Sequence, residues 1–277
     1  MSDVDRVSLG DAIAARLRDA ETPLREDFSR PGRIPSCVLD DVLDPETCRA
    51  VYDAFPDPST MTLRKTLRER KFVTAQMDRH DPLLEEIVYA FQQPPVVEAL
   101  ARVTGIEGLL PDEHLYAGGV SLMSRGHFLN PHLDNSHDKD REMYRVLNLL
   151  YYVTPGWRAE DGGNLELWDS GPRRADARTI PSLFNRLVVM GTGRGSWHSV
   201  STVTRDGTRT CVSNYYFAPQ PLDADTDDGY FHPTSFRGFA DEPVKDVVLR
   251  VDGALRRGIR RVRRQGMGAP HHRYHRD

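Results

Sequence analysis

The stretch FLNPHLDNSHD, residues 128 to 138, places two histidines and two aspartates around one proline. His132 and Asp134 stand two apart, and on a strand such residues project to the same face, so both can reach one cation. A third ligand is on offer in SWHSV (196–200), where His198 follows the apolar strand RLVVM. Two imidazoles and one carboxylate on one face leave half an octahedron open, the arrangement of a non-haem Fe(II) centre that also binds a cosubstrate and O₂. An HxD triplet by itself carries little weight, because a polar loop holds one by chance. The downstream cation adds to it. Arg209 lies eleven residues after His198 in RTCVSNYYF, which reads as a strand. A dicarboxylate chelating a metal through a 2-oxoacid end needs a buried cation for its far carboxylate, and the planar arginine fork suits that task. The competing reading of Arg209 is a strand arginine in a surface ion pair.

In that order, HLD, WHSV and the RTC strand resemble the HxD…H…R pattern of the Fe(II)/2-oxoglutarate-dependent dioxygenases, and most closely their prolyl-4-hydroxylase-like branch. LLYYVTPGW resembles the branch's tyrosine-bearing strand, DGGNLELW its DGG-L strand, and RLVVM…WHSV the strand with the distal histidine. IPSCVLDDVLDPETC resembles its strand-helix opening, and the main likeness spans roughly residues 115 to 219. The resemblance implies that His132, Asp134 and His198 are the iron ligands and the catalytic centre. It also implies that Arg209 and the Tyr152 hydroxyl hold the far carboxylate of 2-oxoglutarate. Tyr152 is preferred to Tyr151 because inward positions 148, 150 and 152 match the family pattern. The family's further tyrosine, about ten residues before the first histidine, is missing from VSLMSRG, where Leu122 and Met123 stand and Ser121 is the candidate replacement. Asp134 is intact, which favours hydroxylation over halogenation. The implied reaction consumes O₂ and 2-oxoglutarate, releases succinate and CO₂, and admits ascorbate as a further cofactor.

Candidate substrate contacts cluster near the metal residues. Asn135, His137, Arg141 and Tyr144 occupy a polar loop long enough to act as a lid. Asn148 is expected to face inward on the next strand, with Asn214 or Tyr215 on the strand of Arg209. Asn164, inside an apolar strand, is either a satisfied core amide or a pocket donor. Two other motifs fail. DADTDDG (223–229) echoes a calcium loop, but its glycine falls one place late and its twelfth position is Thr234. GTGRGS (191–196) is followed by no GK[ST] helix and reads as a turn.

The surrounding elements form three regions. Residues 1 to 110 read mainly as helical support: Ala12 to Leu17, DPETCRAVYDAF capped at Asp44, LLEEIVYAFQ, and PPVVEALARVTG ended by Gly105, with a short strand in IPSCVLDDVL. From 111 to 220 come short strands rich in β-branched and aromatic residues, the pattern of a sandwich or barrel. Residues 221 to 277 read as an acidic loop, an amphipathic helix and a tail. In that helix Val244, Val247, Val248, Val251, Leu255, Ile259 and Val262 make an apolar stripe expected to pack on the core, beside a basic face of Arg250, Arg256, Arg257, Arg260, Arg261, Arg263 and Arg264. The expected fold is mainly β with flanking helices, a double-stranded β-helix (jelly roll) forming one integrated domain.

A net charge of -4 gives no pull toward nucleic acid or membrane, no apolar run suits a span, and three scattered cysteines form no disulfide framework. A cytoplasmic enzyme acting on a small molecule (an amino acid, sugar or biosynthetic intermediate) is the leading expectation. A peptidyl-prolyl hydroxylase and a non-catalytic metal-binding jelly roll are the alternatives, and the oligomeric state is open.

Overall fold

A computed structural model describes residues 5–172, 176–223, 231–239, 241–262 and 274. The N-terminal region builds a helical layer around one strand. In α1 (Arg6–Asp19) the Asp5 carboxylate accepts the N–H groups of Val7 and Ser8, a side-chain cap on the first turn. After α2 (Glu21–Phe28) and β1 (Ser36–Asp40), helix α3 (Pro45–Asp53) starts where Asp44 accepts the Thr47 N–H. Between α3 and α4 (Pro82–Ala90), where the sequence pattern names no element, the chain makes a hairpin of β2 (Thr62–Lys65) and β3 (Glu69–Thr74). Its residues are largely charged, so no apolar alternation advertised it. Helix α5 (Pro94–Thr104) ends at Gly105, whose φ of 72° gives the left-handed stop.

The strands then follow as β4 (Leu110–Pro111), β5 (Gly119–Ser124), β6 (Phe128–Leu133), β7 (Tyr144–Tyr152) and β8 (Leu165–Leu167). Next come β9 (Arg178–Ile180), β10 (Arg186–Gly191), β11 (His198–Val200), β12 (Thr208–Ala218) and β13 (Ser235–Phe236). Their order is β1-β10-β7-β12-β5-β3-β6-β11-β8-β9, every pairing antiparallel, with β2 on β3, β4 on β12 and β13 on β6. The sheet curls into a jelly-roll half-barrel in which β3 joins a leaf led by β7 and β12 to a leaf led by β6 and β11. Gly119 makes that junction possible, since a Cβ there would lie 2.5 Å from the Thr74 carbonyl oxygen.

Alternation divides β7 cleanly over its second half. Leu147, Leu149 and Tyr151 join the core beneath the helices, while Asn148, Leu150 and Tyr152 line the interior of the half-barrel. Ile13, Leu17, Leu84, Ile87, Val88, Val96 and Leu100, all fully buried, supply the helical side of that core. Leu100→Ala is expected to cost about 2–5 kcal/mol, read from the midpoint of urea unfolding, through lost burial and a residual cavity. A loss near zero would show that the helical layer is not integral to the fold.

Helix α6 (Pro243–Val262) departs from expectation. Val244, Val247, Val248, Val251 and Leu255 are 44% to 77% exposed, so the apolar stripe faces solvent instead of the core. Polar anchors decide the orientation: the Arg237 guanidinium donates twice to Asp246, Gly238 N–H also donates to Asp246, and Arg68 pairs with Asp252. The side chains of Arg256 to Arg264, residues 224–229 of the acidic loop and the terminal histidines lie outside the described residues. Among the described residues no helix is long and apolar enough to cross a membrane.

Candidate metal centre and its pocket

His132 on β6 and His198 on β11 are direct partners across the ladder, their ring centroids 4.0 Å apart. The sequence placed His198 behind the RLVVM strand; it stands instead at the head of a strand of its own, in the opposite leaf from β10. Asp134 follows β6 directly, and one ligand atom from each of His132, Asp134 and His198 falls within 4.8 Å of the others. The Asp134 carboxylate oxygens lie 3.8 Å from the Nε2 atoms of His132 and His198. Each imidazole donates its Nδ1–H to a carbonyl at 2.9 Å, that of Asn130 for His132 and that of Ser196 for His198. Both rings are thereby fixed as tautomers whose Nε2 lone pairs point at the carboxylate, the second-sphere arrangement of metal-binding histidines. Asp134 Oδ2 is buried with no hydrogen-bond partner, a costly state that a cation shared with the two imidazoles relieves. The donor set therefore fits a divalent first-row metal.

Burial, with His198 adjacent, pushes His132 down to about 3. Burial works to raise the Asp134 carboxyl, yet Arg145, His198 and His132 hold it below the ordinary carboxylate range. The linkage has one sign for both groups. Below its unfolded value, near 6.5, His132 gains a proton only on unfolding, and Asp134 adds to the loss below about 4. Metal-free protein is expected to lose about 1.4 kcal/mol per pH unit from His132 between pH 6.5 and 3. In urea titrations across that range, His132→Gln should flatten the slope; an unchanged slope would place the acid sensitivity elsewhere.

Arg209, 3% exposed on β12, reaches the same interior. Its Nη2 donates to the Met123 sulfur at 2.8 Å, its Nε is buried without a partner, and its guanidinium carbon sits 5.2 Å from the Tyr152 ring centre. The Tyr152 hydroxyl is buried and unpartnered too. Arg209 and Tyr152 both line a cavity of about 1040 Å³ whose wall also carries the His-Asp-His triad. Met123, the cross-strand neighbour of Arg209, holds the position beside the guanidinium, while Ser121 lies farther along the same wall opposite Cys211.

Of the expected substrate contacts, Asn135 and Asn148 line the cavity. His137 does not: its ring packs at a tilt against those of Tyr144 and Phe231, with centroids 4.3 and 5.8 Å away. Arg141 turns to the Phe231 ring, 4.1 Å away, and packs on the loop instead of the cavity wall. Asn214 faces the helical layer and accepts from the Gln92 amide, because alternation on β12 turns Ser213 and Tyr215 inward instead. Asn164 is a satisfied core amide, donating to Ala159 and accepting from Ser182 N–H.

Several wall residues escaped the sequence reading. Arg145 sits 3.7 Å from Asp134, stacks 4.4 Å over the Tyr215 ring, and keeps a buried unpartnered Nε. Phe236 of β13 lies nearly parallel to the His132 ring at 5.3 Å. Glu69 and Lys71 enter the wall from the unforeseen β3.

Comparison with known proteins agrees with this geometry. The family model of the 2OG-Fe(II) oxygenase superfamily matches residues 118–217. Over 102 residues the chain is 33% identical to the mouse (Mus musculus) prolyl 3-hydroxylase OGFOD1, covering 35% of this chain and 18% of that protein's length. A prolyl-4-hydroxylase from Pseudomonas putida aligns in three dimensions with a TM-score of 0.52 at 18% identity, covering 74% of this chain and 98% of that one. The non-heme alpha ketoglutarate dependent carbocyclase SnoK from nogalamycin biosynthesis aligns with a TM-score of 0.55 at 12% identity, over 82% and 90% of the two chains. The HxD…H…R set on a jelly roll and the match across residues 118–217 make the core of this chain similar to the 2OG-Fe(II) oxygenase superfamily.

Proposed function

We propose that the protein is an Fe(II)- and 2-oxoglutarate-dependent oxygenase that hydroxylates an unactivated C–H bond of a small molecule, with release of succinate and CO₂. The observation that carries this reading is the sharing of one cavity by the triad and by a buried arginine with an unmatched donor. His132, Asp134 and His198 would hold Fe(II), and Arg209 with Tyr152 would receive the far carboxylate of 2-oxoglutarate. The bound iron, cosubstrate and O₂ supply the oxidising power. The chain's own residues do the positioning. Carbonyls of Asn130 and Ser196 hold the imidazoles in one tautomer, and Arg145 keeps Asp134 ionised. Leu129, Leu150, Leu165, Val200 and Phe236 give the cavity an apolar wall that limits water around the reacting atoms. A non-catalytic metal-binding protein has no need of an arginine aimed into the same cavity.

A second reading, hydroxylation of a residue within a polypeptide, is favoured by the sequence likeness to the mouse prolyl 3-hydroxylase. Both are tested together. Anaerobic addition of Fe(II) and then 2-oxoglutarate should produce the weak visible absorption of a chelated 2-oxoacid. Admission of O₂ should then release succinate faster with a substrate than without. Free amino acids and sugars stimulating release would support the first reading; stimulation by prolyl peptides alone would support the second. Iron-loaded protein without the absorption would remove both.

A further inference from the structure

Side chains alternate along β3, so Glu69, Lys71 and Val73 share the face that lines the cavity, while Phe72 turns to the core. On β2, Arg64 stands directly opposite Lys71 in the hairpin register and lines the cavity as well. Like charges directly opposite one another on a hairpin destabilise it. Glu69 relieves this only in part, with Lys71 Nζ at 3.1 Å and Arg64 Nη1 at 3.9 Å, one carboxylate against two cations.

The same imbalance holds for the cavity as a whole. Its described walls carry Arg64, Lys71, Arg79, Arg145 and Arg209 against Glu69 and Asp134. Arg209 and Asp134 are taken by the cosubstrate and metal roles proposed above. With the exposed Arg79 and Arg145, the partner of Asp134, set aside, Arg64 and Lys71 face Glu69 alone, an excess of one positive charge in the part left for substrate. Lys71 shares the cavity wall with the triad, near enough for its charge to act on both His132 and Asp134.

We propose that Lys71 and Arg64, bridged by Glu69, form an anion-binding subsite of the active-site cavity, and that the substrate presents a carboxylate to it. This deepens the oxygenase reading and rests on it. The carboxylate comes either from a free acid or from an acidic side chain of a peptide. In both cases it neutralises the excess charge and sets which C–H bond faces the metal.

The test uses the full chain loaded anaerobically with Fe(II) and saturating 2-oxoglutarate. N-acetylglycine is titrated against N-acetylglycinamide, and a capped Gly-Asp-Gly peptide against its Gly-Asn-Gly counterpart. Binding is read as a shift of the visible absorption and a rise in melting temperature. At least one acid is expected to bind about tenfold more tightly than its amide, the worth of one charge-assisted hydrogen bond. The pair that shows the preference identifies the source. Lys71→Met should abolish the preference with the 2-oxoglutarate absorption intact, and Lys71→Arg should retain it. Equal binding of acid and amide, no binding of either at about 50 mM, or bleaching of the absorption through displaced 2-oxoglutarate would overturn the subsite. Failure to form the absorption in the wild type would instead sink the oxygenase reading and the subsite with it.

Discussion

Asp134→Ala is expected to weaken Fe(II) binding by at least about a hundredfold, since loss of an outer-sphere partner alone commonly costs 10- to 100-fold. Asp134 is the sole carboxylate of the described triad and sits between the two Nε2 atoms at 3.8 Å from each. Without it the metal keeps two neutral ligands and loses the charge that offsets its own. The substitution also leaves Arg145 facing two imidazoles. Asp134→Asn separates the effects, because it keeps the shape and removes the charge. Anaerobic titration calorimetry with Fe(II), or with Ni(II) as a redox-inert substitute, reads the loss directly. Retention of wild-type affinity in both variants would place the metal elsewhere.

The second large effect concerns the cosubstrate. Arg209→Ala should weaken 2-oxoglutarate binding by about two to four orders of magnitude and leave metal affinity within about threefold, because a buried carboxylate left without its cation costs roughly 3–5 kcal/mol. Arg209→Lys should recover part of the loss: it keeps the charge but cannot offer the planar fork. The measurement is the 2-oxoglutarate dependence of the visible absorption in anaerobic Fe(II) protein. An unchanged midpoint in Arg209→Ala would remove the arginine from the cosubstrate site.

The metal residues were legible because their chemistry sits in short local signals. HLD needs one strand end, WHSV one histidine after a turn, and RTC one charged residue in an apolar strand. Arg145 was hidden by a break in periodicity. Counting by twos back from Asn148 puts Val146 inward and Arg145 outward. The β7–β12 register shifts between Tyr216 and Phe217, so Val146 and Leu147 both join the core and Arg145 emerges into the cavity. Lys71 and Glu69 were hidden for a different reason. A half-exposed hairpin of charged residues has no apolar pattern, and only its insertion between β5 and β6 gives it a place. In α6 the stripe was legible and its direction was not. The 3.6-residue repeat says that one face is apolar, whereas Asp246 and Asp252, bound to Arg237 and Arg68, decide which face turns inward.

The pairing of β1 with β10 sets Ser36 opposite Met190, and that of β3 with β5 sets Val73 opposite Ser121. Contacts so distant in sequence form only after long loops close, which slows folding of such topologies relative to helical ones. During synthesis the N-terminal helices emerge long before β7, β10 and β12, the strands that bury their apolar faces. Helix α1 packs on α4 and α5, while the sheet face that completes their core, Leu149, Leu187 and Val212 among it, follows only once β7, β10 and β12 have been made, and the triad is assembled only when β11 docks between β6 and β8. A metal held by all three ligands therefore waits on the non-local pairing of β6 with β11.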